Sequence, residues 1–226
     1  MSREMSRTAD ALLRYHASFL AQHGDTARGA GWPNEQDRLT RFDVVLDIIA
    51  RHRPNRPVVL CDLGCGSGEL ARRAHNFEGL RISYVGIDRS EEALSYARAK
   101  FPADQFHLLD VLTASEWQLD SLRCDFMTAI GLFTAKGTVS HAEMWEFMSN
   151  VIRRTWPLVS CGLVFNVMSK AVDWEREDLF HVSYDELAVF LHSLAGRRIG
   201  FRADYGLYEF MAYALKPQAF AGVSRR

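Results

Sequence analysis

The sequence has no apolar run near the roughly 20 residues that cross a bilayer. It also has no excess of charge of one sign, no internal repeat and no low-complexity tract. Each absence removes a class. Without a spanning run, no transmembrane helix and no membrane partner are expected. With 27 basic against 28 acidic residues the net charge is -1. The basic stripe of a nucleic-acid binder is missing, so nucleic acid is not an expected partner. The opening MSREMSRTADALLRYH is charged throughout and lacks the apolar centre of a secretory leader, so a cytoplasmic location is expected. Cysteine is scarce, at four residues. In a reducing compartment these are expected to be packed thiols, not a disulfide frame. Cys61 and Cys65 stand at C-x3-C spacing, but no two further ligands lie near them in the sequence, and no metal is expected.

What the chain does have is 48% hydrophobic and 12% aromatic residues in 226 positions. That suits one large globular domain with a small appended segment and does not suit a disordered chain. Residues 5–22 predict an amphipathic helix with Leu12, Leu13, Phe19 and Leu20 on its apolar face. The stretch HGDTARGAGWPNEQ, with three glycines and Pro33, breaks it. A second helix is predicted over 36–52, with Leu39, Phe42, Val45, Leu46 and Ile49 at helical spacing. The segment RHRPNRP ends it. Beyond that point short apolar runs alternate with helix-like stretches. The strands fall at PVVLCDL, RISYVGID, QFHLLDV, CDFMTAIGLF and GLVFNVMS, then RRIGFRADY and YEFMAYALKP. Such alternation predicts a parallel sheet covered on both faces. Only Gly206 and Leu207 separate the last two strands, too few for a crossover, so these two pair as an antiparallel hairpin. Ser140 with Glu143, and Ser183 with Glu186, form S-x-x-E patterns that mark two helix starts.

In open α/β sheets ligands sit beyond the carboxyl ends of the strands. The first strand runs straight into Gly64, Gly66 and Gly68, where the backbone can turn sharply and come close to a ligand. Asp62 stands just before them. Asp88 ends the next strand and Asp110 the one after, which puts three acids at three successive strand ends. A nicotinamide dinucleotide calls for G-x-G-x-x-G and a pyrophosphate on the helix N-terminus. Here the third glycine comes one residue early, and Asp62 would repel a pyrophosphate. A cofactor with a cationic end and no phosphate tolerates that acid.

CDLGCGSGEL resembles motif I of the class I S-adenosylmethionine (SAM)-dependent methyltransferases. YVGIDRS and FHLLDV resemble the motifs at the ends of that family's second and third strands, and the terminal hairpin is also shared. The resemblance spans 56–217. It implies a Rossmann-like, doubly wound, seven-stranded α/β sheet, mostly parallel, with helices on both faces. The SAM-binding core would be 56–217, preceded by a helical cap at 1–55 and followed by a tail at 218–226. The resemblance also implies that Gly64, Cys65 and Gly66 approach the methionine part of the cofactor through their backbones, with Asp62 near its amino group. Asp88 would accept from both ribose hydroxyls, as a two-oxygen acceptor can. Arg89 and Ser90 would flank the adenine, Asp110 would accept from its amino group, and Val111 would lie beside the ring. Ile130, Gly131 and Leu132 would border the methionine and the methyl group. An arginine about twenty residues before motif I often binds the methionine carboxylate in related enzymes. Arg41 is the best placed, with Arg38 and Arg28 as further candidates.

On this reading SAM is the methyl donor, S-adenosylhomocysteine (SAH) the product, and a small molecule the acceptor, with oxygen favoured over nitrogen or carbon. The protein mainly aligns nucleophile, methyl and sulfur, and a base is needed only where the acceptor must lose a proton. His141, in the first turn of a helix where imidazolium is disfavoured, and His181, in the long loop after the fifth strand, are the candidate bases. Tyr15, His16, His23 and Trp32 belong to the N-terminal segment that would close over the cofactor. Tyr15, Trp32 and Phe133 are the expected acceptor contacts. GLFTAKG is not the N/D-P-P-Y/F signature of many amino methyltransferases. A monomer or homodimer is expected. A SAM-binding protein without turnover and a nicotinamide oxidoreductase are the alternatives.

Overall fold

A computed structural model describes residues 3–52 and 57–217. The expected boundary at residue 55 and the tail at 218–226 lie outside the described residues. Two helices come first, α1 (Arg3–His23) and α2 (Glu35–His52). Then follow β1 (Val58–Leu63), α3 (Glu69–His75), β2 (Ile82–Asp88), α4 (Glu91–Lys100), β3 (Gln105–Leu108), α5 (Glu116–Asp120) and β4 (Cys124–Ala129). The chain continues with α6 (His141–Thr155), β5 (Val159–Ser169), β6 (His181–Val182), α7 (Tyr184–Ala195), β7 (Ile199–Arg202) and β8 (Glu209–Leu215). The sheet order is β3-β2-β1-β4-β5-β8-β7. β1 to β5 run parallel, and β8 lies antiparallel to both β5 and β7. This is the expected seven-stranded doubly wound sheet with its terminal hairpin.

Three details differ from the sequence pattern. The two-residue β6 pairs with the end of β5, and the five-residue α5 follows β3. The fourth strand stops at Ala129 and not at Phe133, because Gly131 turns away with φ +87° and gives its N–H to the Asn166 side chain. The hairpin link runs over 203–208, not two residues, because Arg202 turns its guanidinium to Asp204 and Asp47 at the end of the ladder.

Strand residues alternate between two cores, as a pleated sheet buried on both faces requires. Cys61 and Leu63 of β1, Met127 and Ala129 of β4, and Phe210 and Ala212 of β8 face a core filled by α6 and α7. Leu60, Phe126 and Met211 face a second core filled by α2, α3 and α4. Phe133, expected at the acceptor, belongs to the first core. It is fully buried, with edge-on contacts to Phe147 and Phe165. Its apolar ring is worth more in the core than at a cavity wall. Asp125 is also structural. Its carboxylate accepts from the Val59 N–H and the Ser160 hydroxyl where the β4–β5 register shifts. The four cysteines are buried, and none is in a disulfide.

The N-terminal helices are built into this frame. Met5, Ala9 and Leu12 of α1 join the first core, and Phe42 to Ile49 of α2 the second. From α2, Arg41 reaches Glu209 at the start of β8. Nε lies 2.9 Å from both carboxylate oxygens and Nη2 2.9 Å from one. Both side chains are buried. Glu209 also accepts from Asn166 at 2.9 Å and from the Tyr205 hydroxyl at 3.3 Å. Asn166 in turn accepts from the Gly131 N–H at 2.7 Å. The Arg41 guanidinium lies 4.5 Å over the Trp32 ring, and that ring packs on Gly131 so closely that an added Cβ would meet it at 2.5 Å. Trp32, Arg41, Glu209, Asn166 and Gly131 thus close a loop of contacts from the N-terminal segment through β8 and β5 to the end of β4.

Removing one partner of a buried ion pair leaves the other charged and unsolvated. Glu209→Ala is therefore expected to cost about 3–5 kcal/mol in denaturant unfolding, and Glu209→Gln less, because the amide keeps the shape and can still accept from Asn166. An unchanged midpoint for Glu209→Ala would contradict the pairing.

Candidate active site

The carboxyl ends of β1, β2 and β4 open onto one cavity, of about 220 Å³. The glycine loop at its floor holds itself. The N–H groups of Gly64 and Cys65 both donate to the Ile87 carbonyl, at 2.8 and 3.1 Å. The Gly66 N–H donates to Asp88 Oδ2 at 2.8 Å and the Gly68 N–H to the Cys65 carbonyl at 2.9 Å. Gly64, Gly66 and Gly68 all have positive φ, between +54° and +80°, which is why glycine stands at these positions. A pyrophosphate cradle needs free amides aimed at the ligand, and these four amides are already bonded within the protein.

Of the residues expected at the cofactor, Asp62, Gly64, Cys65, Gly66, Asp88, Arg89, Ser90, Asp110, Val111, Ile130, Gly131 and Leu132 line this cavity. Asp62 is buried, accepting from the Tyr84 hydroxyl at 2.6 Å and the Thr128 hydroxyl at 2.8 Å. Burial pushes its pKa up to about 7; the two hydroxyls oppose the rise and the nearby Asp88 charge adds to it. Burial also raises the Asp88 carboxyl, against the backbone N–H groups of Ser90, Gly66 and Arg89. Each Asp88 oxygen accepts one backbone bond, Oδ1 from Ser90 and Oδ2 from Gly66, and keeps room for a second. Asp110 takes the Leu112 N–H at 2.9 Å and pairs with Arg89 at 3.2 Å, while Arg89 also holds Asp10 of α1 at 2.6 Å.

Arg41 is the exception. Glu209 and Trp32 hold it, and it lines a second cavity. Arg38, one turn earlier on α2, lines the first. It is buried, its Nη2 pairs with the exposed Glu35, and its Nε has no hydrogen-bond partner. Two arginines three apart on one helix are alike as sequence. Only the position of Glu209 in β8 separates them.

The second cavity, of about 610 Å³, lies against the same N-terminal segment and the loops that flank β5 and β8. The two cavities share Gly131, Trp32, Ala30 and His16 in their walls. Tyr15 and Trp32, the two other residues expected at the acceptor, line the second cavity. Tyr15 donates to Asp178 at 3.3 Å. His16 stands where the cavities meet, and burial lowers its imidazole pKa, so the ring is neutral at pH 7. Sequence reading placed His16 in the closing segment but gave it no chemistry. Its only signal was its place beside Tyr15 on the apolar side of α1.

The two histidines expected as bases are tied to the backbone. His141 lies in the wall of neither cavity. Its Nε2 is 2.9 Å from the His181 carbonyl, and its ring packs on Phe180. His181 lines the second cavity, but Nδ1 bonds the Ser169 carbonyl at 2.7 Å and Nε2 accepts the Arg176 N–H at 3.2 Å. His181 therefore pins β6 and the 170–180 loop to the end of β5 with both ring nitrogens engaged, while His141 ties the start of α6 to β6. The helix starts behave as the pattern predicts. Ser140 and Glu143 cap α6 reciprocally, and Ser183 accepts from the Glu186 N–H at 3.2 Å. Among the described residues no group of three or more His, Cys, Asp or Glu is placed to hold a metal ion, and no helix is long and apolar enough to cross a membrane.

Residues 54–148 match the family model described as a methyltransferase domain. No curated protein matches the sequence. Among solved structures, the magnesium protoporphyrin IX methyltransferase of Synechocystis PCC 6803 with bound SAH is 15% identical, with a TM-score of 0.59 over 92% of this chain and 94% of that one. The plantazolicin methyltransferase BpumL, in complex with a pentazolic desmethyl analogue and SAH, is 15% identical, with a TM-score of 0.61 over 92% and 97%. CalS10, an amino pentose methyltransferase from Micromonospora echinaspora with bound SAM, is 17% identical, with a TM-score of 0.52 over 76% and 89%. At such identities these are likenesses of fold. The likeness to a methyltransferase domain thus rests on residues 54–148, less than half of the chain, and the solved structures share that domain's fold.

Proposed function

We propose that the chain moves a methyl group from SAM to a small-molecule acceptor, with oxygen as the favoured acceptor atom. The observation that carries this reading is the pair of cavities that meet at Gly131, Trp32 and His16. One is lined by three strand-end acids, and the other is larger and opens beside it. The residues present fit such a cofactor. Self-bonded loop amides and three carboxylates disfavour a phosphate and favour a ligand with hydroxyls and a cationic end. The unpartnered Nε of Arg38 is a buried donor beside the same cavity. Asp88 would hold the ribose hydroxyls, Asp62 the amino group and Arg38 the carboxylate, while Asp110, Val111 and Arg89 would flank the adenine.

When bound, SAM supplies a methyl already activated on a cationic sulfur. What remains for the chain is placement, which contributes roughly 7–11 kcal/mol in well-oriented reactions. Gly131 and Trp32 define the passage between the cavities. His16, neutral through burial, would take the proton of a hydroxyl acceptor, a role for which His141 lies outside both cavity walls and His181 has both ring nitrogens bonded.

Calorimetry is expected to show both SAM and SAH binding. Asp88→Ala is expected to weaken both by about 1.5–3 kcal/mol, as for a charge-assisted hydrogen bond. Absence of binding by either at millimolar concentration would sink this reading.

Asp62 gives a pH dependence. Its folded pKa of about 7 lies above the unfolded value, so its contribution to stability is full at acid pH and is lost as pH rises through about 7. A bound ammonium favours the carboxylate, so SAH binding must expel a proton when Asp62 starts out protonated. Affinity for SAH is therefore expected to fall as pH drops below about 7, with up to one proton released, measured as buffer-dependent heats. Asp62→Asn is expected to abolish the release. Equal heats in phosphate and Tris for the wild type would contradict this placement of Asp62.

A further inference from the structure

The wall of the second cavity is mainly apolar, and several of its polar groups are already bonded within the protein. Arg41 is paired with Glu209, and Arg176 is held by Asp178 at 2.6 Å. The Tyr15 hydroxyl is given to Asp178, and both ring nitrogens of His181 are bonded to backbone. Beyond the unpartnered Nη1 of Arg41, those groups have little left to offer a ligand. The rings are different. Trp174 and Tyr208 line this cavity and are 69% and 75% exposed. Among the described residues neither ring has an aromatic or cationic neighbour. Large aromatic surface left in water beside a concave site marks a ligand-binding wall.

The backbones that carry the two rings are fixed. The Ser169 N–H donates to the Tyr208 carbonyl at 3.1 Å, one residue before the buried Glu209. The Trp174 loop is held on one side by the Ala171 N–H on Ser169 Oγ at 3.0 Å and on the other by the Arg176 N–H on His181. Pinned backbones reduce the ordering cost of using these rings for binding. Tyr15, Phe19 and Trp32 line the same cavity and are less exposed than these two rings, and Trp32 is shared with the first cavity. Five aromatic rings therefore line this cavity, exposed at Trp174 and Tyr208 and half-buried at Trp32 on the shared wall. A volume of about 610 Å³ accommodates a fused-ring molecule.

We propose that the acceptor is a planar aromatic compound whose ring stacks on Trp174 and Tyr208 at the mouth and whose nucleophilic atom reaches the passage at Trp32. This deepens the methyltransferase reading and rests on it. Offset or edge-on ring contacts add affinity beyond the apolar area they cover. A saturated ring of the same size covers similar area without that gain.

The test uses the whole chain saturated with SAH, titrated with 2-naphthol and with decahydro-2-naphthol, its saturated counterpart. The aromatic probe is expected to bind at least tenfold tighter. Trp174→Ala and Tyr208→Ala are each expected to lower its affinity severalfold, and Trp174→Phe to restore most of the loss. Both positions are exposed, so folding is not at stake. Equal affinity for the two probes, binding of neither, or indifference to both alanine variants would overturn the proposal. So would a concentration-dependent dimer broken by Trp174→Ala with no naphthol bound, since the rings would then cover a second copy of the chain. Failure of SAH itself to bind would instead bring down the methyltransferase reading, which separates the two outcomes.

Discussion

The buried pair between Arg41 and Glu209 decides how the two parts of this chain become one site. Desolvating two charges is costly and is offset only when the geometry is good and the remaining atoms are bonded. Here two guanidinium nitrogens lie 2.9 Å from the carboxylate, and Asn166 and Tyr205 complete the acceptor side. The consequence is positional. Arg41 fixes the face on which Trp32 rests, Asn166 fixes the Gly131 amide, and Trp32 and Gly131 then meet. The wall that the two cavities share is therefore set by an interaction that is itself part of the structural frame.

A second constraint is the glycine loop. Its positive-φ residues do not present amides to a ligand; they fold the loop back onto the end of β2. What faces the cavity is carboxylate, at Asp62, Asp88 and Asp110. A loop satisfied in this way is suited to hydroxyls and a cation, and poorly suited to phosphate. The high pKa of Asp62 is the cost of keeping an acid in that place, with Tyr84 and Thr128 limiting it.

The strands, the parallel sheet and the terminal hairpin were legible in the sequence, and so was the gathering of Asp62, Asp88 and Asp110 at one cavity, because each depends on a local pattern. Apolar runs at alternating spacing gave the parallel strands, the short link gave the antiparallel pair, and acids after strands gave the cavity floor. The acceptor side was less legible, because its residues are chosen by contacts distant along the chain. Arg41 differs from Arg38 only through Glu209, 168 positions away. His141 and His181 sit in loops where bases are expected, yet backbone carbonyls of β5 and β6 take their ring nitrogens. Phe133 follows a site strand and still turns into the core against Phe147 and Phe165. His16 carries no motif, and its position at the passage follows from how α1 lies across both cavities. The five-residue α5 and two-residue β6 are too short for periodicity to register.

Two cavities that share Gly131, Trp32 and His16, proposed as the donor and acceptor sites, form the centre of this picture. A crystal structure of the chain with SAH tests it most directly. The expected result has the ribose hydroxyls on Asp88, the carboxylate near Arg38, and the sulfur facing the passage beside Gly131 with the His16 ring within reach of an acceptor. SAH bound elsewhere, or with its sulfur turned away from the second cavity, would contradict it.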